Sequence, residues 1–499
     1  MQRVSWIPLY DEYCLGIRYM SSVLQEAGHE SHIIIFKGVE YISPQEVPPL
    51  EQQNDGGYYG FCTYTTKQEL GILLDLLREQ KPDLVGMSFS SVSFGLAQFI
   101  TKHIQEELGI KVMWGGVDAT INSNENIKYC DFLCTGEGEF PVLNLVNQLD
   151  KGIEYPEVES IWVRKENGDI CRTPTMTLEK NLDNYPFPDF ELENKSVVIH
   201  NSVITSPPYP PKSHLYSNFI IMATRGCPFT CTFCAWPQIM YNDNKYRKRN
   251  PVNVVDEVEA MKKEYGFRSF YFDDDTFNIG KKRILALCEE ISRRDLKMPW
   301  AAMSRADTSD RETLREMKRS GLQGIKFGVE SGSQELVDNA KKSLDLDRVV
   351  EACAITRELG IRTHLTFSFG LPGETWETVR KTINFAKQLD PDTLQFSLMT
   401  PFPGSTFYEE MKEKNMLLTG DWSQYDGGTT SVVHTDELSG HDLEKALRMA
   451  YNEWDMHKLI RPFRDFRTLK RVMSQPRQTL HTLGFLAKRH LRRVIHAGA

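Results

Sequence analysis

Arg225-Gly226-Cys227-Pro228-Phe229-Thr230-Cys231-Thr232-Phe233-Cys234 gathers three cysteines on one short stretch, spaced C-x3-C-x2-C. It directly follows an apolar run, 219–223, that reads as a strand. Three thiolates on one loop can hold three irons of a cubane cluster and leave the fourth iron without a protein sulfur. Thiolates suit such clusters because they are soft donors that lose their protons on binding. Gly226 permits a sharp turn just before the first ligand. A structural zinc site is the competing reading, but zinc in such sites takes four ligands, usually as two pairs. No second cysteine pair is present here, and no histidine lies between His214 and His364.

Working outward, strand-like and helix-like segments alternate. Candidate strands are 219–223, 269–272, 300–303, 324–327, 363–368 and 393–397. The amphipathic segments between them are 254–264, 283–293, 311–320, 346–359 and 375–389. Six β/α units predict a partial (β/α)6 TIM barrel over 217–430, with its chemistry at the carboxyl ends of the strands. Those ends carry distinctive residues. Asp273-Asp274-Asp275 follows the second strand, and three adjacent acids are costly unless a cation or hydrogen-bond donors meet them; a solvated turn or helix cap is the alternative. Arg305 follows the third strand, placed either to grip a carboxylate or to form a structural salt bridge. Gly328-Val329-Glu330-Ser331-Gly332 ends the fourth. Gly370-Leu371-Pro372-Gly373-Glu374-Thr375 and Pro401-Phe402-Pro403-Gly404-Ser405 follow the fifth and sixth, and read mainly as turn geometry.

The cysteine loop, with its aromatic Phe233 before the last cysteine, resembles the signature of the radical S-adenosylmethionine (SAM) superfamily. The resemblance implies a [4Fe–4S] cluster on Cys227, Cys231 and Cys234, with the methionyl amine and carboxylate of SAM on the fourth iron. One electron then splits a carbon–sulfur bond, and the resulting 5′-deoxyadenosyl radical takes a hydrogen atom from substrate. It also implies that Asp274 or Asp275 receives the SAM amine, Arg305 its carboxylate and Glu330 its ribose hydroxyls, with Phe233 beside the cofactor.

Residues 1–155 alternate short strands (4–8, 32–36, 83–88, 111–114, 132–134) with helical segments, which predicts a doubly wound parallel sheet. Small residues follow the strands: Ser88, then Gly115 and Gly116, then Gly136-Glu137-Gly138-Glu139. With Leu15-Gly16-Ile17-Arg18-Tyr19 and Ala27-Gly28-His29-Glu30, this region resembles the Rossmann-like cobalamin-binding domain fused to many radical enzymes. The resemblance implies cobalamin against Ser88, Gly115, Gly116, Gly136 and Glu137, since small residues let a nucleotide tail approach the backbone. One departure stands out: none of the twelve histidines sits in the Asp-x-His-x-x-Gly pattern that supplies a lower cobalt ligand. His29 reads as a turn-capping residue.

Residues 156–216 read as a connector, with a hairpin signal at Asn167-Gly168 and a stiff run at Pro207-Pro208-Tyr209-Pro210-Pro211. Residues 431–499 read as a helical tail. From Lys458 onward eleven Lys and Arg face one acid, Asp465, while the whole chain carries −9. Such a basic amphipathic stretch suits either an anionic membrane surface or a cover over the barrel. It has no basic aromatic platform, so nucleic acid is not expected. The N-terminus has no secretory pattern, and the seven scattered cysteines read as buried apolar residues rather than disulfides. We therefore expect a cytoplasmic enzyme, with peripheral contact at the inner membrane surface on the first of the tail's two readings and none on the second.

The whole resembles the class that includes hopanoid methylases and the anaerobic magnesium-porphyrin cyclase. It implies methylation of an unactivated carbon in a small-molecule or lipid substrate, with an external donor such as flavodoxin or ferredoxin. Radical oxidation, cyclisation or rearrangement without methyl transfer is the alternative, and a non-catalytic cobalamin or redox sensor is the alternative of another class.

Overall fold

Ile33 and Ile35 enter one apolar cluster while Ile34 and Phe36 enter another, the period-2 mark of a strand covered on both faces. Val4 and Trp6 split from Ile7 in the same way, and Met113 from Val112 and Trp114. These residues lie in a computed structural model that describes residues 1–37, 65–205, 219–243 and 245–464. The proline run at 207–211, Cys62 and the basic tail beyond 464 lie outside the described residues. The first strands are β1 (Arg3–Pro8), β2 (Glu30–Phe36), β3 (Leu84–Ser88), β4 (Lys111–Gly115) and β5 (Phe132–Cys134), parallel and ordered β5-β4-β3-β1-β2. Helices Lys67–Gln80 and Phe94–Leu108 pack on one face, Leu15–Glu26 and Glu139–Asp150 on the other. The strand order reverses between β1 and β3, where an open α/β sheet leaves a crevice outside its strand ends.

Part of the segment expected as a connector belongs to this sheet. β6 (Ile161–Arg164) and β7 (Ile170–Cys171) extend it antiparallel beyond β5. β8 (Lys195–Ile199) pairs parallel with β2, and β9 (Ser202–Thr205) closes that side. The turn at Asn167-Gly168 forms as expected, with Gly168 at φ 86°. The physical reason is edge protection: β5 and β2 would otherwise present unpaired backbone groups.

β10 (Phe219–Ile221) opens the second sheet. A two-residue ladder of β11 (Thr224–Arg225) with β12 (Arg247–Lys248) follows. Then come β13 (Phe270–Phe272), β14 (Trp300–Ser304), β15 (Leu322–Glu330), β16 (Arg362–Phe369) and β17 (Thr393–Leu398). The six strands β10-β13-β14-β15-β16-β17 are parallel and follow chain order. Ile325, Phe327 and Val329, like Leu365, Phe367 and Phe369, point into the core shared with the crossover helices. The alternate residues Lys326, Gly328 and Glu330, and His364, Thr366 and Ser368, project from the other face. Helices on one face and polar side chains on the other define the inside of the expected partial barrel. At the open edge, helix Gly440–Arg464 covers β17. The Tyr451 hydroxyl accepts the Phe396 N–H (3.1 Å) and donates to the Phe396 carbonyl (2.9 Å). Among the described residues no helix is long and apolar enough to cross a membrane.

The turn after β16 has a titratable lock. Glu374 is 1% exposed. Its carboxylate accepts the Gly370 N–H (3.1 Å) and the Thr378 hydroxyl (2.8 Å), and burial pushes its carboxyl up to about 7. A raised folded value means that the protonated form is favoured on folding. Stability is therefore full below the ordinary carboxyl range and falls as pH rises toward 7, by about 3 kcal/mol for this group. Glu374→Gln should flatten that slope in urea unfolding series between pH 5 and 8. Asp274 titrates in the same window, so the difference between wild type and variant is the reading; identical slopes would refute it.

Candidate active site between the two sheets

The cysteine loop leaves β11 through Gly226, at φ 91°. A Cβ there would collide with the Lys245 carbonyl oxygen, so only glycine fits. The Gly226 N–H donates to Asp275 Oδ2 at 2.8 Å, which also accepts the Tyr241 hydroxyl at 3.1 Å. Cys227 Sγ lies 3.3 Å from the Thr276 hydroxyl. Burial pushes up the Cys231 thiol, opposed by the charges of Lys342 and Arg305, and pushes the Cys234 thiol up to about 12. Metal binding would exchange those protons. Among the described residues no three His, Cys, Asp or Glu side chains converge as a single metal ion would need.

Gln238 holds the loop, a role that no motif in the sequence marks. Its Nε2 reaches the carbonyls of Cys231 (3.0 Å), Thr232 (3.1 Å) and Cys234 (2.8 Å), and its Oε1 accepts from the Thr406 N–H and hydroxyl. The signal available in the sequence was the need of a tight loop's carbonyls for donors, with a glutamine four residues past the last cysteine.

The expected SAM-binding residues gather around this loop. Of the two candidate acids, Asp274 is buried in the scaffold, taking the Ala223 N–H and the Thr224 hydroxyl; burial pushes its carboxyl up to about 7. Asp275 borders the loop, and its Oδ1 has no partner among the described residues. Arg305 lies 3.5 Å over the Phe229 ring and pairs with Asp307 at 2.7 Å, the salt bridge that stood as its alternative. Glu330 sits at φ 70°, in the left-handed region that non-glycine residues seldom occupy. Its carboxylate meets Lys342 at 2.7 Å and the Ser368 hydroxyl at 3.3 Å. Lys342 in turn lies 5.7 Å from the Phe233 ring centre.

On the other side of the loop, a cavity of about 240 Å³ opens at the strand ends of the first sheet. Ser88, Gly115, Gly116, Gly136 and Gly138 line one wall; Arg225, Trp236, Met240 and Tyr241 line the other. Gly116 and Gly136 have φ of 92° and 74°. A Cβ on Gly116 would lie 2.6 Å from Ser88 Oγ, and one on Gly138 2.7 Å from Met20 Sδ. The backbone itself thus forms the wall. Glu137 lines the same cavity, but its carboxylate is engaged: Arg247 grips it at 2.9 and 2.6 Å and Arg225 approaches at 3.2 Å. Arg225 also donates to Glu139 at 2.6 Å and stacks over Tyr185. The two arginines hold the Glu137 carboxyl below its ordinary range against the opposing effect of burial. Glu137 therefore acts as an interdomain clasp, not as the open ligand contact expected of it. His29 is likewise engaged, with the Gln2 N–H (3.1 Å) and Asn147 (3.0 Å).

A loop of three thiols at the end of the first strand of a six-stranded parallel sheet defines a class, and the Radical SAM superfamily profile matches residues 221–386. The chain belongs to the radical SAM superfamily. Its relatives include "Uncharacterized methyltransferase PH0819" of Pyrococcus horikoshii, 30% identical over 385 residues, 75% of this chain and 79% of that protein. The anaerobic magnesium-protoporphyrin IX monomethyl ester cyclase of Rubrivivax gelatinosus is 28% identical over 402 residues, 77% and 68% of the two chains. Among solved structures, the cobalamin-dependent SAM radical enzyme OxsB superposes with TM-score 0.66 at 15% identity, covering 98% of this chain and 72% of that one. The radical SAM methyltransferase TsrM of Kitasatospora setae gives 0.62 at 18%, covering 83% and 75%. At these identities the structural likenesses describe the fold.

Proposed function

We propose that this chain is a cobalamin-dependent radical SAM enzyme that methylates an unactivated carbon. The observation that carries the reading is the shared wall: Trp236, Met240 and Tyr241, which follow the cluster loop, also line the glycine-walled cavity of the first sheet. A ligand in that cavity and a cluster on the loop would act on one space. The donor set fits both groups. Cys227, Cys231 and Cys234 would hold the cluster. Ser88, Gly115, Gly116 and Gly136 would admit cobalamin, with no histidine among the cavity's described lining residues. When bound, the cluster supplies one electron to SAM and cobalamin carries the methyl group.

The chain's own residues orient and shield. Asp275 Oδ1, without a partner among the described residues, would accept an ammonium, while its Oδ2 fixes the turn at Gly226. Arg305 keeps its guanidinium against Phe229, beside the loop, where a carboxylate could share it with Asp307. Glu330, aimed by its unusual backbone and by Lys342, offers a carboxylate to a diol. The clasp of Arg225 and Arg247 on Glu137 ties the loop after β5 to the β11–β12 ladder from which the cysteine loop departs. The electron comes from outside, from a flavodoxin- or ferredoxin-like donor.

Two curated cyclases among the relatives favour a second reading, radical ring formation without methyl transfer. Anaerobically reconstituted protein given reductant, SAM and cobalamin should retain cobalamin through gel filtration and form 5′-deoxyadenosine. With the metabolite that accumulates in a deletion strain, it should yield S-adenosylhomocysteine and a methylated product. Deoxyadenosine with neither would favour the second reading; no deoxyadenosine at all would sink both.

A further inference from the structure

We propose that the inner face of the six-stranded sheet carries a receptor for an anionic group of the substrate, a carboxylate or a phosphate, formed by Lys326 on β15 and His364 on β16. This rests on the enzymatic reading above and adds the charge of the substrate to it. The two residues are direct partners in the β15–β16 register, flanked in the same row by Met303 on β14 and Thr393 on β17. Both stand on the face opposite the core residues Ile325, Phe327 and Leu365.

Lys326 has no hydrogen bond or ion pair among the described residues. The acids whose charges reach it are Asp273 and Glu330, and the Glu330 carboxylate is already held by Lys342 and Ser368. Burial holds the Lys326 ammonium below the ordinary lysine range. A cation partly withdrawn from water without a contact ion pair is unfavourable, and an arriving anion relieves it. Beside it, His364 is kept neutral, pushed down to about 4 first by burial and then by the Lys326 charge. Its Nδ1 lies 2.9 Å from the Thr393 hydroxyl. When that hydroxyl donates, Nε2 carries the proton, and Nε2 has no partner among the described residues. A cation and a neutral donor side by side are the elements of oxyanion recognition. The row is level with the end of β13, since Phe272, Ala302 and Ile325 pair across the row before it. An anion there lies on the lumen side of the Asp273–Asp275 turn that abuts the cysteine loop.

The test uses the anaerobically reconstituted full chain. Acylation of Lys326 by N-hydroxysuccinimidyl acetate, followed by peptide mass spectrometry, should slow about tenfold with inorganic phosphate or with succinate at constant ionic strength. Exposed Lys151 should be unaffected. Protection by phosphate only assigns a phosphorylated substrate, and by succinate only a carboxylate. By calorimetry, Lys326→Met should weaken the protecting anion about tenfold and Lys326→Arg should retain it. The proposal is overturned if neither anion protects, or if SAM alone does, which would give the lysine to the cosubstrate. Deoxyadenosine formation by the same wild-type preparations is scored separately: its absence alongside anion protection removes the radical reading and leaves the receptor standing.

Discussion

Cys231→Ala is expected to abolish the iron–sulfur chromophore and SAM cleavage together, whereas Cys288→Ala should leave both intact. Cys231 is a buried thiol that burial pushes up, opposed by the charges of Lys342 and Arg305 beside it. Its two loop partners cannot complete the three-sulfur set without it. Cys288 lies in the helix–sheet core, and chiefly burial pushes its thiol up to about 11. Its loss removes packing only, about 1 kcal/mol. Iron and sulfide per chain, the visible spectrum and deoxyadenosine yield check the contrast. A Cys231→Ala protein with the full iron complement would refute the ligand assignment.

Arg225→Met is expected to be the most destabilising substitution between the sheets, by about 3–5 kcal/mol, because it leaves the Glu139 carboxylate buried without its cation. Arg225 is buried, pairs with Glu139 and Glu137 and lies over Tyr19 and Tyr185. Adding Glu139→Gln should recover part of the loss, since both changes act in one network. Urea midpoints of the two singles and the double measure the coupling. Purely additive effects would mean that the pair is not a unit. Retained cobalamin should fall in Arg225→Met even where the fold survives, because the clasp sets the distance between the cavity's two walls.

The parts legible in the sequence are those written over short spans. Ten residues hold the three thiols and their glycine. Strands β1 to β5 and the six strands of the second sheet follow from alternating or continuous apolar runs, and Asn167-Gly168 announces its hairpin. What escaped depends on distant pairing. β8 joins β2 across more than a hundred and fifty residues, and no local pattern in Lys195–Ile199 names its partner. Glu137 reads as part of a small-residue nucleotide loop until Arg247, 110 residues on, is seen to hold it. Gln238 reaches Thr406 over 168 residues. Asp274 follows β13 and Arg305 follows β14, as the strand pattern implies, but whether their charges are open or already matched is a question of packing.

Tyr451 gives the open barrel a border. One phenol occupies both the donor and the acceptor in the middle of β17, doing with a side chain what a neighbouring strand would do with its main chain. A foreign peptide approaching that margin meets an aromatic ring in place of a ladder to extend. The sheet can therefore end at six strands without recruiting a seventh from another molecule.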